Sequence, residues 1–436
     1  MADDDPRPVV LRAKHAQGDS DPLAGLASLG GFGELGRVRR VGRVGELGRV
    51  GELGGLIATT YPREMRIMVV NAGSSSLKLR LLGDRDEVLA SHDLPPPEVT
   101  WEASSMLRAA LADLGAVDAV GHRVVHGGTE LVAPTVVDPG VLDRIRVLTE
   151  LAPLHQPKSI AGIEAVAAAL PGVPQVACFD TAFHATLPEA AATYALPAQW
   201  RERRPLRRFG FHGLSHAYLA RRAAELLDRS DRTGFRVVTC HLGAGASLAA
   251  VSAGRSVDTT MGFTPLEGLV MATRSGDVDP GLLLWLQEHA GLAPETIAEG
   301  LERRSGLLGL AGSADMREVL AAEAAGEPDA TLAIAVYVHR LRKGIAAMAA
   351  SLGGLDALVF SGGVGEHAPT IRARAAEPLR FLGVAVDAGR NDAADGDCEI
   401  GDPAAPVATL VIESREDLEI ARQVRTALAA PGQADR

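Results

Sequence analysis

Two turns rich in glycine and serine have the composition of phosphate-binding sites. The first runs from Asn71 to Ser76 between two β-rich runs and includes Ser74, and the second contains Gly243 and Gly245. Glycine lets a ligand approach the backbone closely, and N–H and hydroxyl groups that converge on one point suit a phosphate. An ordinary hairpin has the same composition, but two copies favour a duplicated domain with a cleft between its halves.

Seven polar residues lie at predicted strand ends or in glycine-marked loops, where α/β sheets hold their ligand contacts. These residues are Asn71, Arg123, His155, Asp180, His212, Arg274 and Glu416. Arg123 alone could form a surface ion pair, Asp180 could cap a strand end, and a loop histidine could be purely structural. Together they indicate a binding site.

The sequence contains neither a GxxxxGK[ST] loop nor a GxGxxG motif that opens a helix after a strand. If nucleotide phosphates bind, the two turns must therefore hold them. Only four of the 44 basic residues are lysine. We expect fixed positive charge in the site to be arginine, whose planar guanidinium suits carboxylate and phosphate.

Composition excludes several classes of protein. The 436 residues carry a net charge of −11, which argues against nucleic acid as the main partner. The three cysteines lack metal-ligand spacing and fit a reducing compartment. No signal peptide or uninterrupted apolar span is recognisable. We therefore expect a cytoplasmic protein without a membrane or nucleic-acid partner.

Residues 1–64 differ in composition and repeat pattern from the rest of the chain. The hexapeptide GELGRV occurs at 33–38 and again at 45–50, and glycine occupies every third position from Gly42 to Gly54. This pattern predicts a disordered, low-complexity extension. Alternatively, the functional protein begins at Met65 or Met68, and this segment is not part of it.

From Met65 onward, strands and helices alternate, which predicts a mixed α/β fold. Strands are predicted as hairpins within 66–82 and 235–252, and singly at 116–125, 175–184, 357–366 and 407–412. Helices are predicted at 101–114, 139–151, 157–170, after Gly213, and at 281–289, 294–303, 331–352 and 415–428. The long loop at 258–282 is expected to be functional.

An ordered series of motifs from Met65 to the end of the chain resembles the acetate kinase family. The motifs are NAGSSSLK, GHRVVHGG, LAPLH, FDTAFH, FGFHGLSH, HLGAG, DTTMGFTPLEGL, TRSGD, SGLLGLAGSADMREV and SGGVGE. The resemblance implies a duplicated ribonuclease H-like fold of the actin and hexokinase superfamily, with an interdomain cleft, and a homodimer. It implies an N-terminal domain at residues 65–182 plus 417–436 and a nucleotide-binding C-terminal domain at 183–416.

The activity that this resemblance implies is reversible phosphoryl transfer from ATP to acetate. The products are acetyl phosphate and ADP, and transfer is direct, in line and dependent on Mg²⁺ or Mn²⁺. Because acetate is already ionised at neutral pH, the nucleophile needs no general base. Catalysis then rests on alignment and on positive charge around the transferring group.

Matched positions give residues their implied roles. The catalytic residues would be Arg123, Asp180, His212, Arg274 and His155. The metal would be held by Asn71, Asp180 and Glu416, largely through water. Nucleotide contacts would come from Asn71, Ser74, Ser76, Lys78, His241, Gly243, Gly245, Asp315, Met316, Arg317, Gly362 and Gly363. The acyl group would contact Arg123, Val125, Leu154, Phe211 and Pro265.

Two positions depart from the family pattern. Ala244 and His367 each replace an asparagine, which bears on nucleotide affinity.

Two other functions stay open at this point. One is an ATPase of the same superfamily in which the nucleotide only switches conformation, and the other is a nonfunctional or regulatory relative. ADP formation with and without acetate distinguishes the three.

Overall fold

The computed structural model describes residues 65–72, 77–94, 105–229, 231 and 233–429. The predicted extension at residues 1–64 and the turn that carries Ser74 and Ser76 lie outside these residues. Among the described residues, no helix is both long and apolar enough to cross a membrane.

The described strands form two six-stranded sheets. The first contains β1 (Ile67–Ala72), β2 (Leu77–Leu82), β3 (Val88–Leu94), β4 (Ala119–Val124), β5 (Thr135–Val136) and β6 (Gln175–Phe179), in the order β3-β2-β1-β4-β6-β5. The second contains β7 (Arg236–Leu242), β8 (Ala246–Ser252), β9 (Arg255–Thr259), β10 (Ala357–Ser361), β11 (Cys398–Glu399) and β12 (Ala408–Val411), in the order β11-β12-β10-β7-β8-β9.

Both sheets follow one plan. Three antiparallel strands come first in the chain, and the first of them also pairs in parallel with the fourth. The sixth strand runs parallel to the fourth, and the short fifth strand pairs antiparallel with the sixth at the edge. Each strand of the second sheet therefore has a counterpart six strands earlier. This repetition confirms the duplicated two-domain α/β fold.

Helices follow and connect the strands of both sheets. They are α1 (Ser105–Leu114), α2 (Pro139–Val147), α3 (Gln156–Ala169), α4 (Glu189–Ala192), α5 (Ala198–Arg203), α6 (Gly213–Leu226), α7 (Pro280–Glu288), α8 (Pro294–Arg303), α9 (Gly306–Ala311), α10 (Met316–Ala324), α11 (Pro328–Leu352), α12 (Gly362–His367), α13 (Pro369–Ala376), α14 (Ala388–Asp392) and α15 (Glu416–Ala429).

Strand alternation explains which helix covers which face. Successive side chains of a strand point to opposite faces, so Ile67 and Val69 pack against α15, whereas Met68 and Val70 pack against α1 and α3. In the second sheet, Val237 packs with α6 and Val238 with α11. Helix α15, the last of the described helices, thus covers the first sheet. The domain boundaries themselves remain a prediction.

Several element ends differ from the predictions. β6 ends at Phe179 instead of 184, because the chain turns into a 3-10 helix at Ala182–Thr186. β10 ends at Ser361, because Gly362 has a φ of 77° and opens α12. The helix predicted at 139–151 ends at Val147 and continues as a 3-10 turn.

Candidate active site

A cleft of about 560 Å³ lies where the carboxyl ends of β1, β4, β6 and β7 meet. The side chains or backbone that line it belong to Asn71, Lys78, Arg123, Val125, His155, Asp180, Phe211, His212, Ala244, Gly245, Pro265, Ala272, Thr273, Arg274 and Ala314. The structure therefore brings together most of the residues that the sequence singled out, from both sheets and from the long loop before α7.

Arg123 is held by oxygen atoms on several sides. Its Nη2 lies 2.5 Å from Asp180 Oδ2, its Nη1 donates to Asn71 Oδ1 at 3.4 Å, and its Nε lies 3.7 Å from Glu416 Oε2. Burial alone would lower the pKa of Arg123, but the charges of Asp180 and Glu416 outweigh it and raise that pKa. Burial raises the pKa of Asp180, and Arg123 opposes this rise. The guanidinium is thus fixed in place and always charged.

His212 precedes the first turn of α6 with an unusual backbone. Its φ of 56° lies in the left-handed region, which a residue with a side chain rarely occupies. Its ring lies beside the β7–β8 turn, since a Cβ at Gly245 would be 3.2 Å from His212 Nε2. Such local strain is typical of residues that are held in a functional position.

The imidazole of His212 is neutral at physiological pH. Burial is the main cause that lowers its pKa well below 6.5, and nearby His241, Arg123 and Arg274 add to the effect. Burial likewise lowers the pKa of His155 to about 4. His212 therefore meets a ligand as a hydrogen-bond donor or acceptor, without adding a positive charge.

Arg274 comes from the long loop and lines the same cleft as Arg123. Its Nη1 donates to the carbonyl oxygen of Pro265 at 3.1 Å and contacts Met271 Sδ at 3.6 Å. No carboxylate of the described residues forms an ion pair with it. Burial lowers its pKa, but a guanidinium stays charged in proteins. Its charge is therefore available to an anion in the cleft.

One wall of the cleft is apolar. It is built by Val125, Phe211 and Pro265, of which Val125 and Phe211 are buried. Leu154, which the resemblance assigned to this wall, does not line the cleft and is 44% exposed, because it follows the 3-10 turn Leu148–Leu151 on the outside of the protein. The remaining wall has room for a short aliphatic group.

A second cavity of about 560 Å³ adjoins the cleft. Its lining is Gly243, Ala244, Ala272, Leu307, Ala314, Asp315, Met316, Arg317, Leu320, Tyr337, Gly363, Val364, His367 and Ala368. The two spaces share Ala244, Ala272 and Ala314. They therefore form one continuous site with a polar and a mainly apolar compartment.

Two predicted nucleotide contacts line neither compartment. Gly362 packs on the end of β7, where a Cβ would lie 2.9 Å from the carbonyl carbon of Leu242. The ring of His241 lies beside that of His212, with centroids 4.5 Å apart and planes tilted by 38°, and its Nδ1 is 2.8 Å from Ser215 Oγ. Sequence reasoning in turn missed two residues that line the site: Thr273, which opens the motif TRSGD beside Arg274, and Tyr337, which carries no distinctive local motif.

The fold and this cleft define a class: a duplicated ribonuclease H-like α/β protein with a cleft at the strand ends of the two sheets. Residues 98–422 match the model of the acetokinase family. The acetate kinase of Deinococcus deserti is 46% identical over 395 residues, which cover 84% of this chain and 98% of that protein. The acetate kinase of Clavibacter sepedonicus is 45% identical, with 84% and 99% covered.

Solved structures agree with the sequence relatives. The acetate kinase of Porphyromonas gingivalis matches with a TM-score of 0.77 at 37% identity, covering 84% of this chain and all of that one. A propionate kinase from Francisella tularensis matches with a TM-score of 0.77 at 36% identity, covering 83% and 99%. The chain belongs to the acetokinase family.

Proposed function

We propose that this protein catalyses reversible phosphoryl transfer from ATP to acetate, giving acetyl phosphate and ADP. The observation that carries the proposal is the pair of arginines, Arg123 and Arg274, facing one cleft beside a small apolar wall. An acetate ion has the matching chemistry: a carboxylate for the arginines and a methyl group for Val125 and Phe211. The relatives named acetate kinase support the same substrate.

The adjoining cavity suits the nucleoside. Its mainly apolar lining would accept adenine, and Asp315 and Arg317 would offer polar contacts at the rim. Ala244 lies between the two compartments, where the phosphates would cross. The carboxylate nucleophile and the γ-phosphoryl group would then approach each other within one continuous site, as direct in-line transfer requires.

Each polar residue has a part in this reaction. Arg274, without a carboxylate partner among the described residues, would bind the equatorial oxygens of the transferring group. Arg123 would hold the acyl carboxylate in place with its rigid guanidinium. His212, being neutral, would donate a hydrogen bond to the phosphoryl group, and His155 would assist from the start of α3. No covalent enzyme intermediate is needed.

A divalent cation fits the oxygen atoms beside Arg123. Asp180, Glu416 and Asn71 offer carboxylate and amide oxygens, which are the ligands that Mg²⁺ or Mn²⁺ prefers. Two carboxylates are too few for a complete protein cage, so waters and substrate phosphates would fill the remaining positions. When bound, the ion would neutralise charge on the phosphates.

A homodimer in the cytoplasm is the proposed state of the protein. Helix α7 has no buried residue, and its apolar side chains Leu282, Leu284 and Trp285 are each about half exposed. Such a surface is typical of a protein interface, and a second copy is the partner proposed. Sedimentation of the wild type and of Trp285→Glu tests this: the variant should dissociate at concentrations where the wild type is dimeric.

The decisive assay measures ADP formation with acetate, with propionate and with neither. Activity that depends on acetate supports the proposal, whereas equal ATP hydrolysis without an acyl substrate overturns it. Propionate is the second candidate substrate, because one solved relative is a propionate kinase. A chiral γ-phosphoryl group then tests the route: direct transfer inverts its configuration, and retention would require a phosphoenzyme.

A further inference from the structure

A chain of four polar side chains runs from the core of the second sheet to the cleft. Thr239 Oγ1 lies 2.7 Å from His216 Nδ1, and His216 Nε2 lies 2.7 Å from Ser247 Oγ. Ser247 Oγ in turn lies 3.0 Å from His212 Nδ1. Thr239, His216 and Ser247 are completely buried.

Secondary structure fixes this alignment. His212 immediately precedes α6, and the backbone N–H of His216 in its first turn donates a 2.9 Å hydrogen bond to the carbonyl oxygen of His212, which keeps the two histidines close. Thr239 stands on the β7 face that packs against α6, because Val237, two residues earlier, belongs to the same hydrophobic cluster as α6. Ser247, on the neighbouring strand, lies on that face too.

The direction of the hydrogen bonds follows from Thr239. A buried hydroxyl proton needs an acceptor, and among the described residues the only side chain or backbone group that bonds Thr239 Oγ1 is His216. Thr239 must therefore donate to His216 Nδ1. Since burial keeps His216 neutral by lowering its pKa, its single proton is on Nε2 and is donated to Ser247.

The direction of the remaining hydrogen bond, between Ser247 and His212, then follows. Ser247 accepts from His216, so its own proton goes to His212 Nδ1. A neutral His212 that accepts at Nδ1 carries its proton on Nε2, the atom beside Gly245 in the cleft. The opposite direction would leave the Thr239 proton without an acceptor and would turn the bare nitrogen of His212 toward the negatively charged phosphoryl oxygens.

We propose that Thr239, His216 and Ser247 are positioning residues that fix the Nε2–H tautomer of His212 and so supply the hydrogen bond to the transferring phosphoryl group. The catalytic part of this inference rests on the proposed function, but the tautomer does not. Thr239 acts only through the chain, since it does not line the cleft.

The test that is independent of activity is nitrogen NMR of the full protein labelled at histidine, with the His212 signal identified by its loss in His212→Gln. The wild type should show a protonated Nε2 and a bare Nδ1 at His212. Thr239→Val keeps the shape but removes the proton source, and should yield a mixture of tautomers. Thr239→Ser should restore the wild-type pattern. A wild-type His212 with its proton on Nδ1 overturns the proposal.

Kinetics provide the second test. Thr239→Val should lower kcat by about 10- to 100-fold while KM for acetate and ATP changes less than about twofold, since the effect of a positioning group is carried by the residue it orients. Thr239→Ser should recover kcat. If Thr239→Val does not fold, Ser247→Ala breaks the chain at its centre and should have the same effect on kcat.

Ser256→Ala is the matched control. Ser256 Oγ lies 2.8 Å from His184 Nδ1, and both residues are buried, but neither belongs to the chain or lines the cleft. This variant should lose stability like the others and keep kcat within about twofold. Equal losses of kcat in Ser256→Ala and Thr239→Val would show a general packing effect and overturn the positioning role. Absence of acetate-dependent ADP formation in the wild type would instead overturn the proposed function, and the NMR result would stand.

Discussion

The backbone N–H of Gly213 donates a 2.9 Å hydrogen bond to the carbonyl oxygen of Asp180. A Cβ atom at Gly213 would lie 2.1 Å from that same oxygen. The contact joins the end of β6 to the start of α6, so it sets the distance between the Asp180 carboxylate and the His212 imidazole. Only glycine permits this approach.

The first prediction concerns this contact. Gly213→Ala should destabilise the protein by roughly 3 kcal/mol or more, because the clash is with backbone that cannot move aside. It should also lower kcat, since α6 would carry His212 away from the cleft. Thermal unfolding and steady-state kinetics measure both effects. Gly300→Ala, in α8 with open space around it, is the control and should be neutral or slightly stabilising. Equal behaviour of the two variants would contradict the argument.

The second prediction separates charge from geometry. Arg123→Lys and Arg274→Lys keep the charge but lose the planar guanidinium, so each should lower kcat substantially. Complete removal of a phosphoryl-transfer arginine costs about 10³-fold or more, which sets the scale. Arg255→Lys, at the exposed first position of β9, provides the control. Full activity in either cleft variant would mean that a point charge is sufficient there.

The third prediction concerns acyl length. The wall of Val125, Phe211 and Pro265 leaves room for a short chain, and one methylene changes discrimination by about 1–3 kcal/mol. Acetate should therefore have a higher kcat/KM than propionate, with butyrate poor. Val125→Ala should raise kcat/KM for propionate relative to acetate. Equal values for acetate and butyrate would show that the wall does not contact the acyl group.

The fourth prediction concerns Ala244, whose exposed side chain borders both compartments. Ala244→Asn could add a hydrogen bond to a charged phosphate, worth up to about 1.5–3 kcal/mol. The KM for ATP should fall while the KM for acetate stays unchanged. An unchanged KM for ATP would mean that backbone donors already satisfy the phosphate at this position.

The fifth prediction concerns stability at low pH. Burial lowers the pKa values of His122, His126, His155 and His184 to about 4, whereas an unfolded histidine titrates near 6.5. Between these values the unfolded chain binds more protons, so the free energy of unfolding should fall as the pH drops from about 6.5 to 4. The raised pKa of Asp180 has the opposite effect on the free energy of unfolding, but this one carboxyl group is outweighed by the four histidines.

Melting temperatures measured from pH 8 to pH 4.5 test this. They should be level above pH 7 and decline steadily below about 6.5, a window in which the carboxyl groups of lowered pKa, such as Asp93 and Asp356, do not titrate. A melting temperature that stays constant down to pH 5 would contradict the buried, neutral state of these histidines.

The sequence by itself determined the fold class, the family and most of the cleft. Strand and helix periodicity depends on local backbone geometry, so the alternation of elements could be predicted from the sequence. The position of Arg123 and Asp180 at strand ends could be predicted for the same reason. Motif order carried the resemblance. Local pattern misplaced element ends where the backbone changes direction: 3-10 turns end β6 and α2 early, and the positive φ of Gly362 ends β10 although the apolar run continues.

Only the tertiary structure decided how these groups act on one another. The charge of His212 depends on burial and on neighbours from other elements, so no local pattern could show that it is neutral. Leu154 turned outward because a 3-10 turn precedes it, and Arg274 was left without a carboxylate partner among the described residues by the path of its loop. The direction of the bonds from Thr239 to His212 depends on which buried atoms meet across α6 and β8, and such contacts between distant segments exist only once the chain has folded.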